Sequence, residues 1–161
     1  MDSEKYARTL SLIIVVLVIT LHIITDDYVA IYTLSPFKNR LLYHFYHTNI
    51  LHLILNVWCF LNIIFYYDIK ISTLVLAYIV CSLYPVNIIE TAPTIGLSAI
   101  CYYLLGIVYF KVKQKLYYQI IIAFYLVLGF VFPISNSIIH LYSYIIGFIV
   151  GFINTPLWKK K

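Results

Sequence analysis

Most of this chain is divided into apolar runs that are bounded by charged residues or by prolines. The six runs cover residues 8–24, 49–66, 71–89, 98–110, 116–132 and 137–153. Hydrophobic residues make up 63% of the 161 positions, and the mean hydropathy is +0.95, whereas soluble domains are about half apolar. The pattern predicts an all-α integral membrane protein, a single bundle of six transmembrane helices over residues 1–161.

Lysine and arginine are distributed unevenly between the two sides of such a bundle. Lys38 and Arg40 fall on one side, and all the other basic residues fall on the side of the N-terminus: Lys5, Arg8, Lys70, Lys111, Lys113, Lys115, Lys159, Lys160 and Lys161. The positive-inside rule therefore predicts cytoplasmic N- and C-termini. The net charge of +5 reflects this topology and an attraction to an anionic lipid bilayer, and we expect no nucleic-acid partner. A bare six-helix core with short tails is typical of a prokaryotic cell membrane.

Polar side chains interrupt three of the apolar runs, at His52, Asn56, Ser98 and His140. A polar group in hydrocarbon is unfavourable unless it finds a partner. At about 1.5 Å per residue along each helix, these side chains lie roughly 18 to 24 Å from the cytoplasmic edge of the membrane. Three helices are therefore predicted to bring Ser, His and Asn side chains to one level beneath the outer surface.

Ser98 begins the shortest run, which cannot span a bilayer alone. The preceding segment ETAPTIG suits non-helical backbone, because Pro93 blocks a helix and Gly96 permits a tight turn. Such backbone survives at membrane depth only where it is buried in protein or lines a water-filled cavity. We therefore predict that Ser98 lies on the floor of a hydrated pocket, at a helix N-terminus whose free N–H groups favour negative charge.

Ser98 and His140 together offer nucleophilic chemistry. A serine hydroxyl becomes a good nucleophile when a base removes its proton, and neutral imidazole is the usual base near pH 7. The second, fourth and sixth runs contain no Asp or Glu, so the sequence predicts a Ser–His dyad. The backbone N–H of Ser98 is a candidate oxyanion donor, and His52 and Asn56 share a helix face that can supply further donors.

Small residues on the fourth and sixth runs favour close packing of these two helices. Ser143, Gly147 and Gly151 form a stripe at intervals of four on the sixth run, and Gly106 lies on nearly the same face of its helix as Ser98. Close contact of the two helices at these small residues would place His140 near Ser98.

These motifs, in this order, resemble those of the rhomboid family of intramembrane serine proteases over nearly the whole chain. HTNILHLILN, residues 47–56, leads into the second run; GLSA, residues 96–99, leads into the fourth; and NRLLYHFYH resembles the first loop of the family, with Arg40 kept. The residues that match the family motifs are His47, His52, Asn56, Gly96, Ser98, Tyr102, Gly106, His140 and Gly147.

The resemblance implies a six-helix core that cleaves transmembrane segments of other proteins through an acyl-enzyme. It implies that Ser98 is the nucleophile and His140 the general base and acid. It also implies that His52, Asn56 and the Ser98 amide bind the oxyanion, and that Tyr102 stacks near His140. Transmembrane protein substrates and lipid are the expected partners, and we expect no cofactor or metal.

The resemblance further assigns the fifth helix and the segment FPISNS, 132–137, to a lateral gate and cap. Ala99, Ile139, Ser143 and Asn39 depart from the family pattern, which has Gly, Ala, Gly and Trp at these places. Ile139 and Ser143 are larger than the family's residues, so we expect looser packing between the fourth and sixth helices.

Two other functions are compatible with the same residues. One is a catalytically inactive rhomboid-like protein that binds membrane helices. The other is a haem or metal protein that uses His44, His47, His52 and His140 as ligands. Without such a role, His44 and His22 are expected at the membrane interface, and His47 is expected to be structural.

Overall fold

The computed structural model describes residues 2–25, 27–86, 93–131 and 136–155. Over these ranges the chain is all-α, as predicted, with seven α-helices and one 3-10 turn, Tyr43–Phe45. The helices are α1 (Asp2–Ile24), α2 (Phe37–Leu42), α3 (Ile50–Tyr66), α4 (Ile71–Ser82), α5 (Ser98–Val108), α6 (Lys115–Val131) and α7 (Ser137–Asn154).

Helix α4 is the element that departs most from its predicted bounds. The prediction of a helix over 71–89 is wrong, because α4 ends at Ser82; residues 87–89 lie outside the described ranges. Pro85 accounts for the early end, since it has no N–H to donate and disfavours helical geometry at Tyr84. Helix α2 was not predicted, because it is short and lies outside the apolar runs.

Two helices in the described ranges, α1 and α7, are each long and apolar enough to cross a membrane. A third span results if α2, the 3-10 turn and α3 form one span, which is bent by 85°. The other helices are apolar but shorter, and the 11 residues of α5 extend about 17 Å in a hydrocarbon core of about 30 Å. Helix length therefore identifies two or three spans, fewer than the six predicted.

Helix α5 lies at the centre of the bundle and contacts α3, α4 and α7. Leu104 and Val108 on α5 are fully buried. Helix α6 lies at the periphery, where it packs against α7 and has Ile122 as its buried residue. The site at the start of α5 is thus surrounded by protein on most sides.

Charged side chains gather where α1 begins and α3 ends, and we call this the basic end. Arg8 forms an ion pair with Asp68, and Lys111 Nζ donates hydrogen bonds to the carbonyl oxygens of Tyr67 and Asp68. A cavity of about 950 Å³ lies here, with Lys70 and Thr155 in its lining. The ends of α5 and α7 reach the same cavity, so these helices start at the opposite end of the bundle.

Candidate active site

The backbone leading to Ser98 is non-helical and is hydrogen-bonded to two earlier segments. Thr94 pairs with Ile31 in an antiparallel bridge, with N···O distances of 2.9 and 3.0 Å. Gly96 has a φ of +104°, which L side chains rarely adopt, and its N–H donates to the carbonyl oxygen of Tyr43 at 2.9 Å. The backbone groups of Thr94 and the Gly96 N–H are therefore paired inside the protein, as buried backbone requires. Residues 90–92 of the predicted approach lie outside the described ranges.

Ser98 and His140 meet across the interface between α5 and α7. Ser98 is the first residue of α5, and its Oγ lies 2.8 Å from Nε2 of His140, on the first turn of α7. The Tyr102 ring stacks on the imidazole, with centroids 4.5 Å apart and planes inclined by 18°. His140 is 7% exposed. The distance lies within the range for proton transfer between a nucleophile and its base.

His52 and Asn56 lie against Gly96, two residues before Ser98. A Cβ at Gly96 would lie 3.0 Å from Cε1 of His52 and 3.1 Å from Nδ2 of Asn56. The Asn56 Nδ2 atom is buried without a hydrogen-bond partner, whereas Nδ1 of His52 lies 3.4 Å from the Thr48 hydroxyl. An unpaired buried donor is rare enough to require an explanation. Here two side-chain donors border the backbone that leads directly into Ser98.

Glycines bring the backbones of α5 and α7 into direct contact below the dyad. A Cβ at Gly106 would overlap the Tyr144 carbonyl, and a Cβ at Gly147 would overlap the Tyr103 carbonyl. The looser packing that we expected from the departures at 139 and 143 therefore does not occur. Ile139 is fully buried, and Ser143 Oγ lies 3.6 Å from the Cys81 sulfur, facing α4.

The surroundings of His44 differ from those that the sequence predicted. His44 is fully buried with Nε2 3.1 Å from Ser82 Oγ, so its expected place at the interface is wrong. The 3-10 turn folds His44 into the core, where a polar partner offsets its burial. Within the described residues, no three His, Cys, Asp or Glu side chains are arranged to hold a metal ion.

His47 lies beside His52, with ring centroids 5.0 Å apart. Both of its ring nitrogens are buried without a hydrogen-bond partner. Burial, and to a smaller extent nearby His52 and His22, lowers the pKa of His47 to about 3. His47 is therefore neutral at physiological pH, and it lines a cavity of about 300 Å³ together with His22.

Three further polar residues line the site, although they were not among the predicted site residues. A cavity of about 70 Å³ is bordered by the dyad and His52 together with Thr48, Thr94 and Asn136. The sequence does indicate a structural role for Asn136, since Asn is a favoured N-cap residue and Asn136 directly precedes the sixth run. No such indication exists for Thr48 and Thr94, because their positions depend on how distant segments meet.

Comparisons of the chain with models of protein families, with curated proteins and with solved structures gave no match.

Proposed function

We propose that the protein is an intramembrane serine endopeptidase that cleaves transmembrane segments of other membrane proteins. One observation carries the proposal: the 2.8 Å contact between Ser98 Oγ and His140 Nε2, from helices whose residues are 42 positions apart. An interhelical hydrogen bond that only stabilises the fold is the alternative explanation. The unpaired Asn56 amide lies against Gly96, two residues before the same serine, and favours catalysis, because structural bonding alone would not leave a buried donor free.

The proposed architecture is rhomboid-like, with six spans and both termini in the cytoplasm. Its support is the basic end, where charged residues from the start of α1 and the α3–α4 and α5–α6 connections lie close together. Helices α4 and α5 need not span a bilayer by themselves, because they are packed among the other helices and short helices are tolerated where protein covers their ends. Lys159, Lys160 and Lys161 lie outside the described ranges.

In the proposed mechanism, His140 removes the hydroxyl proton of Ser98 as Oγ attacks the carbonyl carbon of the scissile peptide bond. The imidazolium then gives this proton to the departing amine, and an acyl-enzyme remains on Ser98. A water molecule loses a proton to His140 and attacks the ester, and His140 then returns that proton to Ser98 Oγ as the acid is released. The stacked Tyr102 ring restricts the orientation of the imidazole throughout these steps.

In the proposed mechanism, the oxyanion is stabilised by donors that lie beside the backbone leading into Ser98. The Ser98 N–H at the start of α5 has no intrahelical partner, and the Asn56 amide is unpaired. When the Thr48 hydroxyl donates to Nδ1 of His52, the His52 proton lies on Nε2, on the side of Gly96. Fixed donors of this kind contribute about 2.7 to 4 kcal/mol each to transition-state stabilisation.

The substrate reaches the site from the bilayer, past the exposed helix α6. Apolar side chains cover the outside of α6, among them Phe124 and Val127 at 58% exposure each. The cavity at the dyad, about 70 Å³, has room for a few water molecules or a small side chain. The gate and cap assigned to the fifth helix and to 132–137 stay predictions, and residues 132–135 lie outside the described ranges.

Labelling with a serine-reactive fluorophosphonate in detergent tests the proposal. We expect labelling of the wild type, and labelling reduced at least about 100-fold in Ser98→Ala and in His140→Ala, since each removes a member of the dyad. Ser143→Ala is the matched control, because it removes a fully buried serine hydroxyl of α7 that contacts Cys81 instead of the dyad. This control should label like the wild type.

Equal labelling of the wild type and Ser98→Ala would place the reactive group elsewhere and would refute the proposal. Absence of labelling in a folded wild type would favour an inactive membrane-helix-binding protein. An absorbance in the haem Soret region at stoichiometric yield would favour the haem alternative.

A further inference from the structure

A second hydrogen bond joins the same two chain segments that carry the dyad. Asn136 Nδ2 donates to Thr94 Oγ1 at 2.6 Å. Thr94 lies four residues before Ser98, and Asn136 lies four residues before His140. The two bonds are therefore successive cross-links between the start of α5 and the start of α7, and both border the cavity of about 70 Å³.

Each partner in this second bond is itself held in place. Thr94 is 4% exposed, and its backbone N–H and carbonyl both pair with Ile31. Asn136 caps α7, because its Oδ1 accepts a hydrogen bond from the Ile139 N–H at 3.4 Å. The carbonyl oxygen of Asn136 also accepts from the His140 N–H at 3.4 Å. A displacement of Asn136 would consequently move the first turn of α7, which contains the proposed base.

The glycine contacts cannot fix this geometry alone. Gly147 follows His140 by seven residues and Gly106 follows Ser98 by eight, so these contacts lie about 10 Å or more along the helices from the dyad. They set the distance between the helix axes, but the first turn of a helix can still shift, because its N–H groups lack intrahelical partners. A restraint on the far side of the dyad is required to set the distance between Oγ and Nε2.

We infer that Thr94 and Asn136 are positioning residues that hold Ser98 and His140 within proton-transfer distance. The inference rests on the proposed protease function. The Thr94 hydroxyl accepts the Asn136 amide proton, and this bond prevents the loop before α5 from separating from the cap of α7. A displacement of reacting groups by about 1 Å lowers rates by about 100-fold, so loss of the bond should affect reactivity more than stability.

The test compares Thr94→Val with Thr94→Ser. Valine has nearly the shape of threonine without the hydroxyl, whereas serine keeps it. We measure the second-order rate constant of fluorophosphonate labelling and the melting temperature in detergent. We expect Thr94→Val to label about 10- to 100-fold more slowly than the wild type, with a melting temperature within a few degrees, and Thr94→Ser to label at nearly the wild-type rate.

Ser82→Ala is the matched control, since it breaks a different buried hydrogen bond, to His44, at a distance from the dyad. It should lower the melting temperature without slowing the labelling of folded protein. Asn136→Ser supplies a second variant if Thr94→Val does not fold. Serine retains a favoured helix cap but is too short to reach Thr94, so this variant should also label more slowly.

Wild-type labelling rates in both Thr94→Val and Asn136→Ser would overturn the positioning role and leave the protease proposal intact. Slowing in Ser82→Ala as large as in Thr94→Val would also overturn it, because the effect would then reflect stability alone. A wild type that labels no faster than Ser98→Ala would remove the protease proposal, and the positioning role with it.

Discussion

The α5–α7 pair and helix α6 are neighbours, yet different interactions hold them in the bundle. Helices α5 and α7 touch through backbone at Gly106 and Gly147, where a side chain would not fit. Helix α6 has Ile122 as its buried residue. Its hydrogen bonds to neighbouring helices lie near its first turns, from Tyr118 OH to Leu105 at 2.7 Å and from Tyr144 OH to Gln119 at 2.9 Å.

This difference fits the two demands that the proposed chemistry makes. Proton transfer between Ser98 and His140 requires two helices whose separation is fixed, and backbone contact provides this because packed backbones cannot yield. Entry of a substrate helix requires a neighbour that can be displaced at moderate cost. Helix α6 meets this second requirement, since few of its side chains would lose buried contacts.

The largest expected effect comes from placing a methyl group between α5 and α7. Gly147→Ala should destabilise the protein by about 1 to 3 kcal/mol, because the added Cβ overlaps the Tyr103 backbone and separates the helices. Gly129→Ala makes the same change in α6, at a half-buried position. It should be neutral or stabilising by up to about 1 kcal/mol, from the higher helix propensity of alanine. Thermal unfolding in detergent measures both, and equal destabilisation would contradict the comparison.

A smaller loss of stability is expected from Gly96→Ala. This variant tests whether the segment that leads into Ser98 is held as rigidly as the α5–α7 pair. Alanine is strained at a φ of +104°, and its Cβ would press on His52 and Asn56. We expect destabilisation by about 1 to 2 kcal/mol together with slower fluorophosphonate labelling, because the oxyanion donors shift. Unchanged labelling at a reduced melting temperature would show that these donors do not contribute.

The smallest effect is expected at the attachment of α6. Tyr118→Phe removes the hydroxyl that donates to the Leu105 carbonyl, and the loss of one such bond costs about 0.5 to 1.5 kcal/mol. Tyr125→Phe is the control, because Tyr125 is 57% exposed on the same helix and should change stability by less than about 0.5 kcal/mol. A loss at Tyr118 as large as that of Gly147→Ala would mean that α6 is as firmly held as the α5–α7 pair.

Local signals in the sequence predicted much of the fold. The starts of α3, α5 and α7 lie within one residue of those predicted, because apolar runs and their polar boundaries report helix ends directly. The end of α4 was missed, although Pro85 stood in the predicted run. Pro85 shows that a local helix-breaking residue outweighs the continuity of an apolar stretch.

The candidate site was predictable as a set of residues and only partly as a geometry. Counting residues along the apolar runs predicted that Ser98 and His140 lie at the same depth in the membrane. The structure gives the 2.8 Å distance between Ser98 Oγ and His140 Nε2. Asn136 carried a capping signal that the sequence reasoning did not use, whereas the role of Thr94 depends on Ile31 and on α7. The burial of His44 was missed, because the 3-10 turn that turns it inward has no apolar periodicity.

The sequence by itself determined the all-α class, the positions of most helices and the polar residues that a membrane bundle must bury. Hydropathy and backbone chemistry act over a few residues, so these properties can be read along the chain. Only the tertiary structure decided how closely the predicted partners approach and which polar groups outside the predicted site pair with each other. The contacts of Ser98 with His140 and of Thr94 with Asn136 join residues 42 positions apart, and such pairing depends on how closely the helices pack.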